Sequence, residues 1–209
     1  MIRVPSISKL LYILTVAATT LLSSSQFAHG DAAVGAPAPD FSVKDSTGKD
    51  VSLSGFRGKI VVLEWFNPNC PFVKKFYKNG DMQKFQETLG SQGVVWLTVN
   101  SSASGRSGHL SAEDAEETRN ELGMKSSALL LDENGKAGKA FGARTTPHMF
   151  VVGADGKIAY AGAIDSEAST SSEDIAGATN YVLGAVHSLI ANKQVETPST
   201  EPYGCSVKY

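Results

Sequence analysis

Three side chains of this 209-residue chain have types and settings that could carry chemistry: Cys70, Cys205 and Glu64. A thiolate is a nucleophile and a redox centre, and it is favoured wherever nearby groups stabilise its charge. Cys70 lies in the stretch Val61-Val62-Leu63-Glu64-Trp65-Phe66-Asn67-Pro68-Asn69-Cys70-Pro71. Its first half is a run of strand formers, the pattern of a strand buried on both faces. Asn67-Pro68-Asn69 is a turn signal that also caps helices. Pro71 suits a first helical position, where a missing N–H costs nothing. The pattern predicts a strand, a turn and a helix that starts at Cys70. Unpaired amides and the positive end of the helix dipole would then favour the thiolate. Glu64 interrupts the apolar strand. A desolvated carboxyl there would have a raised pKa, useful for proton transfer near neutrality; the alternative is an outward Glu held by a lysine.

The elements that must position these residues follow in order. Residues 41–43 and 51–53 alternate as a short hairpin around Ser46-Thr47-Gly48-Lys49. After Cys70 a helix is predicted to about Leu89, with Phe72, Phe76 and Phe85 covering the sheet and Lys74, Lys75 and Lys78 on or near its exposed side. Val94 to Val99 is a second buried strand, so strand, helix and strand form a right-handed parallel unit. Ser101 to Gly108 reads as a mobile rim at the carboxyl ends of the strands, where open α/β sheets bind ligands. Ser111-Ala112-Glu113-Asp114 caps a helix running to about Leu122. A strand over 128–131, a short helix over 136–141, strands over 148–152 and 158–162 and a final helix over 178–191 complete the list. On the last helix Tyr181, Val182, Val186 and Ile190 share a side. Aromatic residues flank Cys205, so the tail is expected to dock onto the domain.

Composition bounds the function. The formal charge is −2, with 42% hydrophobic and 19% charged residues, which suits one globular domain and offers no basic surface for nucleic acid. Arg3 and Lys9, the apolar run from Leu10 and the small-residue site Ala28-His29-Gly30 together describe a secretory signal peptide over residues 1–30. Its apolar part is shorter than the ~20 residues that span a bilayer, so no stable membrane anchor is expected after cleavage. The protein is therefore expected to be exported, to a bacterial periplasm or outside the cell. The remainder divides into a domain over 31–191 and a tail over 192–209. No His, Cys or Asp cluster has metal-ligand spacing and no Gly-rich phosphate loop follows a strand, so neither metal nor cofactor is expected.

The order of elements resembles a thioredoxin-like α/β fold: a central mixed sheet flanked by helices, with the N-terminal hairpin and central helical insertion of the redoxin (peroxiredoxin/thiol-specific antioxidant) superfamily. Gly35-Ala36-Pro37-Ala38-Pro39-Asp40-Phe41 resembles the superfamily's opening, and Leu53-Ser54-Gly55-Phe56-Arg57-Gly58-Lys59 its lead-in to the first core strand. Cys70 falls at the first cysteine of the thioredoxin Cys-x-x-Cys motif, with Val73 in place of the second. Peroxiredoxins use that second position, within Pro-x-x-x-Thr-x-x-Cys; here Leu63 and Asn67 precede Cys70 where Pro and Thr would stand. The chain is most similar to the exported subgroup with one motif cysteine and a terminal Tyr-Gly-Cys.

The resemblance implies a thiol–disulfide oxidoreductase in which Cys70 attacks and a buried acid, Glu64, assists. It further implies that Thr146-Pro147 is a cis peptide facing Cys70, able to pair the Thr146 backbone with an incoming chain. Spacing alone reads Pro147 as a trans residue opening an edge strand. Cys205 is either the thiol that resolves a mixed disulfide on Cys70 or one end of a structural staple. The staple would close a loop of about 135 residues and contribute roughly 5 kcal/mol. Peroxide reduction through a sulfenic acid on Cys70 is the second enzymatic reading, and a binding module with an inert bridge the non-enzymatic one. Expected partners are protein or low-molecular-weight thiols and disulfides, with an external reductant. His148 and Arg144, beside Pro147, are candidates for proton exchange and for anion attraction, and Lys74 and Lys75 for support of the thiolate.

Overall fold

The computed structural model describes residues 1–2 and 32–209; the expected signal segment lies almost wholly outside these residues. Among the described residues, no helix is long and apolar enough to cross a membrane.

A seven-stranded mixed sheet carries the fold. Its strands are β1 (Ser42–Asp45), β2 (Asp50–Ser52), β3 (Val61–Trp65), β4 (Val95–Asn100), β5 (Ala128–Leu131), β7 (His148–Val152) and β8 (Ile158–Gly162), in spatial order β2-β1-β5-β4-β3-β7-β8. A separate two-stranded ribbon joins β6 (Thr145–Thr146) to β9 (Cys205–Ser206). The apolar runs at β3 and β4 pair in parallel, as a strand–helix–strand unit demands, while β7 lies antiparallel on the other side of β3.

β3 lies inside the sheet, between β4 and β7, with all five residues buried. Side chains alternate along a strand, so it feeds two cores. Val62 and Phe66 face a cluster with Phe76, Leu89, Trp96 and Val186; Val61, Leu63 and Trp65 face Leu97, Phe141 and Phe150. Fully burying each such side chain contributes about 1.5–3 kcal/mol, so the turn following β3 hangs from the most heavily packed strand. Helices α3 (Ala112–Glu121), α4 (Lys136–Phe141) and α5 (Tyr181–Ile190) fall close to their expected spans. Ser111 and Asp114 form the anticipated capping box on α3.

Four expectations need correction. The helix predicted over 70–89 is two helices, α1 (Pro71–Tyr77) and α2 (Asp81–Ser91), because Gly80 at φ 85° adopts a left-handed conformation that ends one and starts the other. Lys75 is buried, and its ammonium meets Asp165 at 3.4 Å. Ile190 is exposed, and α5 buries Val182, Ala185 and Val186 instead. The loop over 101–108 is bonded into the structure: Ser101 and Ser102 are buried, and Asn67 Nδ2 donates to the Ser107 carbonyl at 2.9 Å.

Glu64 points into the first core, fully buried and, among the described residues, paired with no lysine. Its carboxylate accepts from Trp96 Nε1 (2.9 Å), Tyr77 Oη (3.0 Å), Thr98 Oγ1 (3.2 Å) and Gln86 Nε2 (3.4 Å). Burial raises its pKa from the ordinary 4.5 to about 7, with the four donors pulling the other way. The folded state therefore holds a proton that the unfolded chain releases. The resulting stability is complete below about pH 4.5 and is lost as pH rises through about 7. Glu64→Gln removes this titration. Denaturant unfolding at pH 5 and pH 8 should show wild type losing on the order of 3 kcal/mol more than the variant across that interval; equal losses would refute the shift.

Candidate active site

The β3–α1 turn sets Cys70. Asn67 Oδ1 accepts the Asn69 amide at 2.8 Å, and Cys70 N donates to the Asn67 carbonyl at 3.1 Å, closing the turn. Cys70 caps α1 in an extended conformation, with Pro71 at the first helical position as the sequence suggests. The expected turn-to-helix placement of the thiol holds.

The Thr146-Pro147 peptide is cis. The Thr146 carbonyl oxygen lies 2.9 Å from Cys70 Sγ. The backbone beside it does not stand open to another chain. The protein's own tail fills that place: β9 pairs antiparallel with β6, Cys205 opposite Thr146 and Ser206 opposite Thr145. Val207 N continues the pairing to the Arg144 carbonyl at 3.0 Å. Gly204 is what lets the tail approach so closely. Its φ is 132°, in the region that favours glycine, and a Cβ there would land on the Thr146 carbonyl.

The pairing brings Cys205 Sγ to 2.8 Å from Cys70 Sγ, with both sulfurs as free thiols. Two thiols at that separation share a proton unequally. Burial pushes Cys70 up, but the Cys205 thiol, the Thr146 side chain and the amides of Cys205 and Val73 outweigh it and hold Cys70 below the ordinary cysteine range. Cys205 is pushed up to about 11 by burial and by the neighbouring Cys70 sulfur. Cys70 is the sulfur that ionises, and Cys205 is the donor that stabilises it.

Tyr203 anchors the tail just ahead of Cys205. Its ring packs on Phe72 with centroids 5.8 Å apart, and its hydroxyl donates to Asp165 Oδ1. Lys75 Nζ reaches the other Asp165 oxygen and the Glu167 carbonyl at 2.7 Å, and lies 5.8 Å from the Tyr203 ring centroid. Farther on, Ala103 N donates to the Lys208 carbonyl at 2.8 Å and Tyr209 Oη to the Ala143 carbonyl at 2.8 Å. The tail is thus fastened on both sides of Cys205.

Of the residues singled out from sequence, Cys70, Cys205, Thr146 and Pro147 come together. Glu64 does not join them: among the described residues, none of its hydrogen bonds reaches Cys70. His148 takes the opposite sheet face, its ring tilted against Phe150 with centroids 4.5 Å apart, its Nδ1 accepting the Arg144 amide at 3.2 Å. Burial lowers its pKa to about 3, which leaves it neutral. Arg144 pairs with Glu201 at 3.0 Å on the surface. Asp165 is a contributor that sequence reasoning missed, and Lys75, a candidate for support of the thiolate, bonds to Asp165 and the Glu167 carbonyl instead; no spacing links residues 90 apart. Among the described residues no cluster could hold a metal ion.

A cysteine at a strand-to-helix turn, facing a cis-proline loop on a mixed sheet, defines a thioredoxin-fold redoxin. The chain belongs to the AhpC/TSA family, whose model matches residues 34–161. That match ends before the tail, so the strand carrying Cys205 lies outside it. Among solved structures the chain is similar to an uncharacterised conserved protein from Geobacillus kaustophilus (23% identity, TM-score 0.73, covering 85% of this chain and 93% of that one). It is also similar to a hypothetical protein from Sinorhizobium meliloti (22% identity, TM-score 0.72, 86% and 96%). A Bacteroides thetaiotaomicron protein proposed to be a protein disulfide isomerase matches at 17% identity and TM-score 0.55, over 76% and 91%. These likenesses establish the fold. No curated protein sequence matches the chain.

Two outcomes test the thiol pair. In Cys205→Ala the stabilising donor is gone, so the pH profile of Cys70 alkylation should move up, with Cys205→Ser recovering part of the shift. An unmoved profile would show that Cys205 does not tune Cys70. Gly204→Ala should weaken the β6–β9 pairing and slow oxidation to an intramolecular disulfide by roughly tenfold, a factor equal to about 1.4 kcal/mol of misplacement; an unchanged rate would show that the close approach is not needed.

Proposed function

We propose that this protein is an exported thiol–disulfide oxidoreductase whose working pair is Cys70 and Cys205. The carrying observation is the 2.8 Å separation of two free thiols with opposite pKa shifts. The family membership supports redox chemistry at Cys70, and the signal-like segment in the sequence supports export. Cys70, as thiolate, attacks a disulfide of a protein or small-molecule substrate and expels one substrate thiolate. Cys205 then gives up its proton and attacks Cys70 Sγ of the mixed disulfide. The second substrate thiolate leaves, and two electrons have passed to the substrate. Cys70 and Cys205 are left joined, awaiting an external reductant. In this reading Thr146-Pro147 supplies the backbone edge on which the tail, and in its absence a substrate strand, is aligned. Glu64 acts on stability rather than at the sulfurs.

Oxidised protein should titrate as a Cys70–Cys205 pair above about −270 mV, in the thioredoxin-like range, whereas a structural staple would titrate below about −300 mV. Cys205→Ser should accumulate mixed disulfides on Cys70. Reduction of insulin or glutathione disulfide without peroxide is the expected activity. Peroxide consumption with a thiol donor, and no disulfide reduction, would replace it with the sulfenic-acid reading.

A further inference from the structure

Helix α1 has two working faces. Phe72 and Lys75 lie on one, against Tyr203 and Asp165, where the tail is fastened. At about 3.6 residues per turn, Val73, Lys74 and Tyr77 take the opposite face. There they line a groove of about 650 Å³ between α1 and α3. It meets the β3–α1 turn at Pro68 and Asn69, the residues just ahead of Cys70. Leu110 and Leu122 add apolar surface, and α3 presents Asp114, Glu117 and Glu121 along it.

Those carboxylates sit at i, i+3 and i+7, on one face of α3, where like charges repel and weaken a helix. Glu121 also ends the helix, so its charge meets the negative end of the dipole. Among the described residues neither Glu117 nor Glu121 makes an ion pair, and Arg119 of the same helix pairs with Glu116 instead. Lys74 is the lysine that lines the groove, so three carboxylates face one ammonium. The chain thus keeps a negative field over apolar surface beside Cys70, at a cost to its own helix.

On the tail side the approach to Cys70 is filled. β9 takes the Thr145–Thr146 edge, and Cys70 is 2% exposed beneath it. Displacement at sulfur is in line. For Cys205 to attack Cys70 Sγ of a mixed disulfide, the substrate sulfur must leave on the side away from Cys205. A substrate held on the groove side meets that condition with the tail still paired.

Resting on the proposed oxidoreductase reading, we infer that the α1–α3 groove docks the substrate and selects protein segments with basic and apolar side chains beside the disulfide. The basic side chains pair with Glu117 and Glu121, and the apolar one lies against Val73 and Leu122. Cys70 Sγ bonds to one substrate sulfur, and the other leaves as thiolate with the electron pair of the broken bond. Glutathione disulfide, an anionic molecule, is repelled by the same field and is the poorer substrate.

The test uses reduced full-length protein and two symmetric peptide disulfides, of Lys-Leu-Cys-Lys and of Glu-Leu-Cys-Glu, with glutathione disulfide as a third oxidant. Rates of Cys70 oxidation are followed by acid quench and mass spectrometry. A thiolate favours a cationic disulfide in any setting, so the measure is how the ratio of cationic to anionic rates changes between proteins. In Glu117→Gln with Glu121→Gln that ratio should fall by roughly tenfold or more at low salt, and by less at about 1 M salt. Asp114 is left in place because it caps α3. Glu117→Lys with Glu121→Lys should lower the ratio further. Glu87→Gln with Glu113→Gln removes as much charge outside the groove and should leave the ratio near that of wild type. Glutathione disulfide should follow the anionic peptide. An unchanged ratio in both groove variants, or an equal fall in the control, would overturn the inference while leaving the oxidoreductase reading intact. Failure of all three disulfides to oxidise Cys70 would overturn that reading, and the inference with it.

Discussion

The antiparallel pairing of Cys205–Ser206 with Thr145–Thr146 is the contact on which this site depends. It is a very short ribbon, and two residues of ladder contribute little by themselves. Its hold comes from what lies at either end: the buried Lys75–Asp165 pair with Tyr203 on one side, and Tyr209 against Gly135 and Gly138 on the other. Breaking one partner of a buried ion pair typically costs about 3–5 kcal/mol, because the other charge is left unpaired in a dry site. The protein has thus fixed a reactive sulfur with polar groups that have no role in the reaction.

Holding Cys205 in this way makes the chemistry of Cys70 conditional on the tail. The strand-to-helix turn supplies a thiol facing backbone amides, yet burial there works against ionisation. The second thiol tips the balance by offering its proton to the developing charge. The same contact also covers Cys70. One interaction therefore sets both how nucleophilic the sulfur is and how little of it the solvent meets, and neither property can be changed alone by altering the tail.

Much of the frame was legible because it is written in short-range patterns. The apolar run at 61–66, the Asn67-Pro68-Asn69 turn and Pro71 each constrain neighbouring residues, and the strand, turn and helix follow. Parity along β7 could have assigned His148 to the face away from Cys70: Met149 and Val151 fill the core beneath α1, so His148 and Phe150 must take the other side. The break between α1 and α2 was signalled by Asn79-Gly80, but the apolar spacing continued across it and hid the stop. Lys75 reads as a surface charge because its partner is distant in sequence; a buried lysine is legible only once Asp165 is in view. Burial of Glu64 is legible in the sequence, since its neighbours in the strand are all apolar. Where its bonds would lead depended on Tyr77, Gln86, Trp96 and Thr98, which the fold alone assembles.

The separation of the two cysteines along the chain is 135 residues. Chains are made from the N-terminus at about 5–20 residues per second, so Cys70 exists for something on the order of ten seconds before Cys205 has been added. Throughout that interval a finished β3–α1 turn would present a sulfur with no internal companion. Only a chain synthesised past its last helix can satisfy it. The thiol contact therefore closes last: it joins the turn after β3 to residues added only after the final helix.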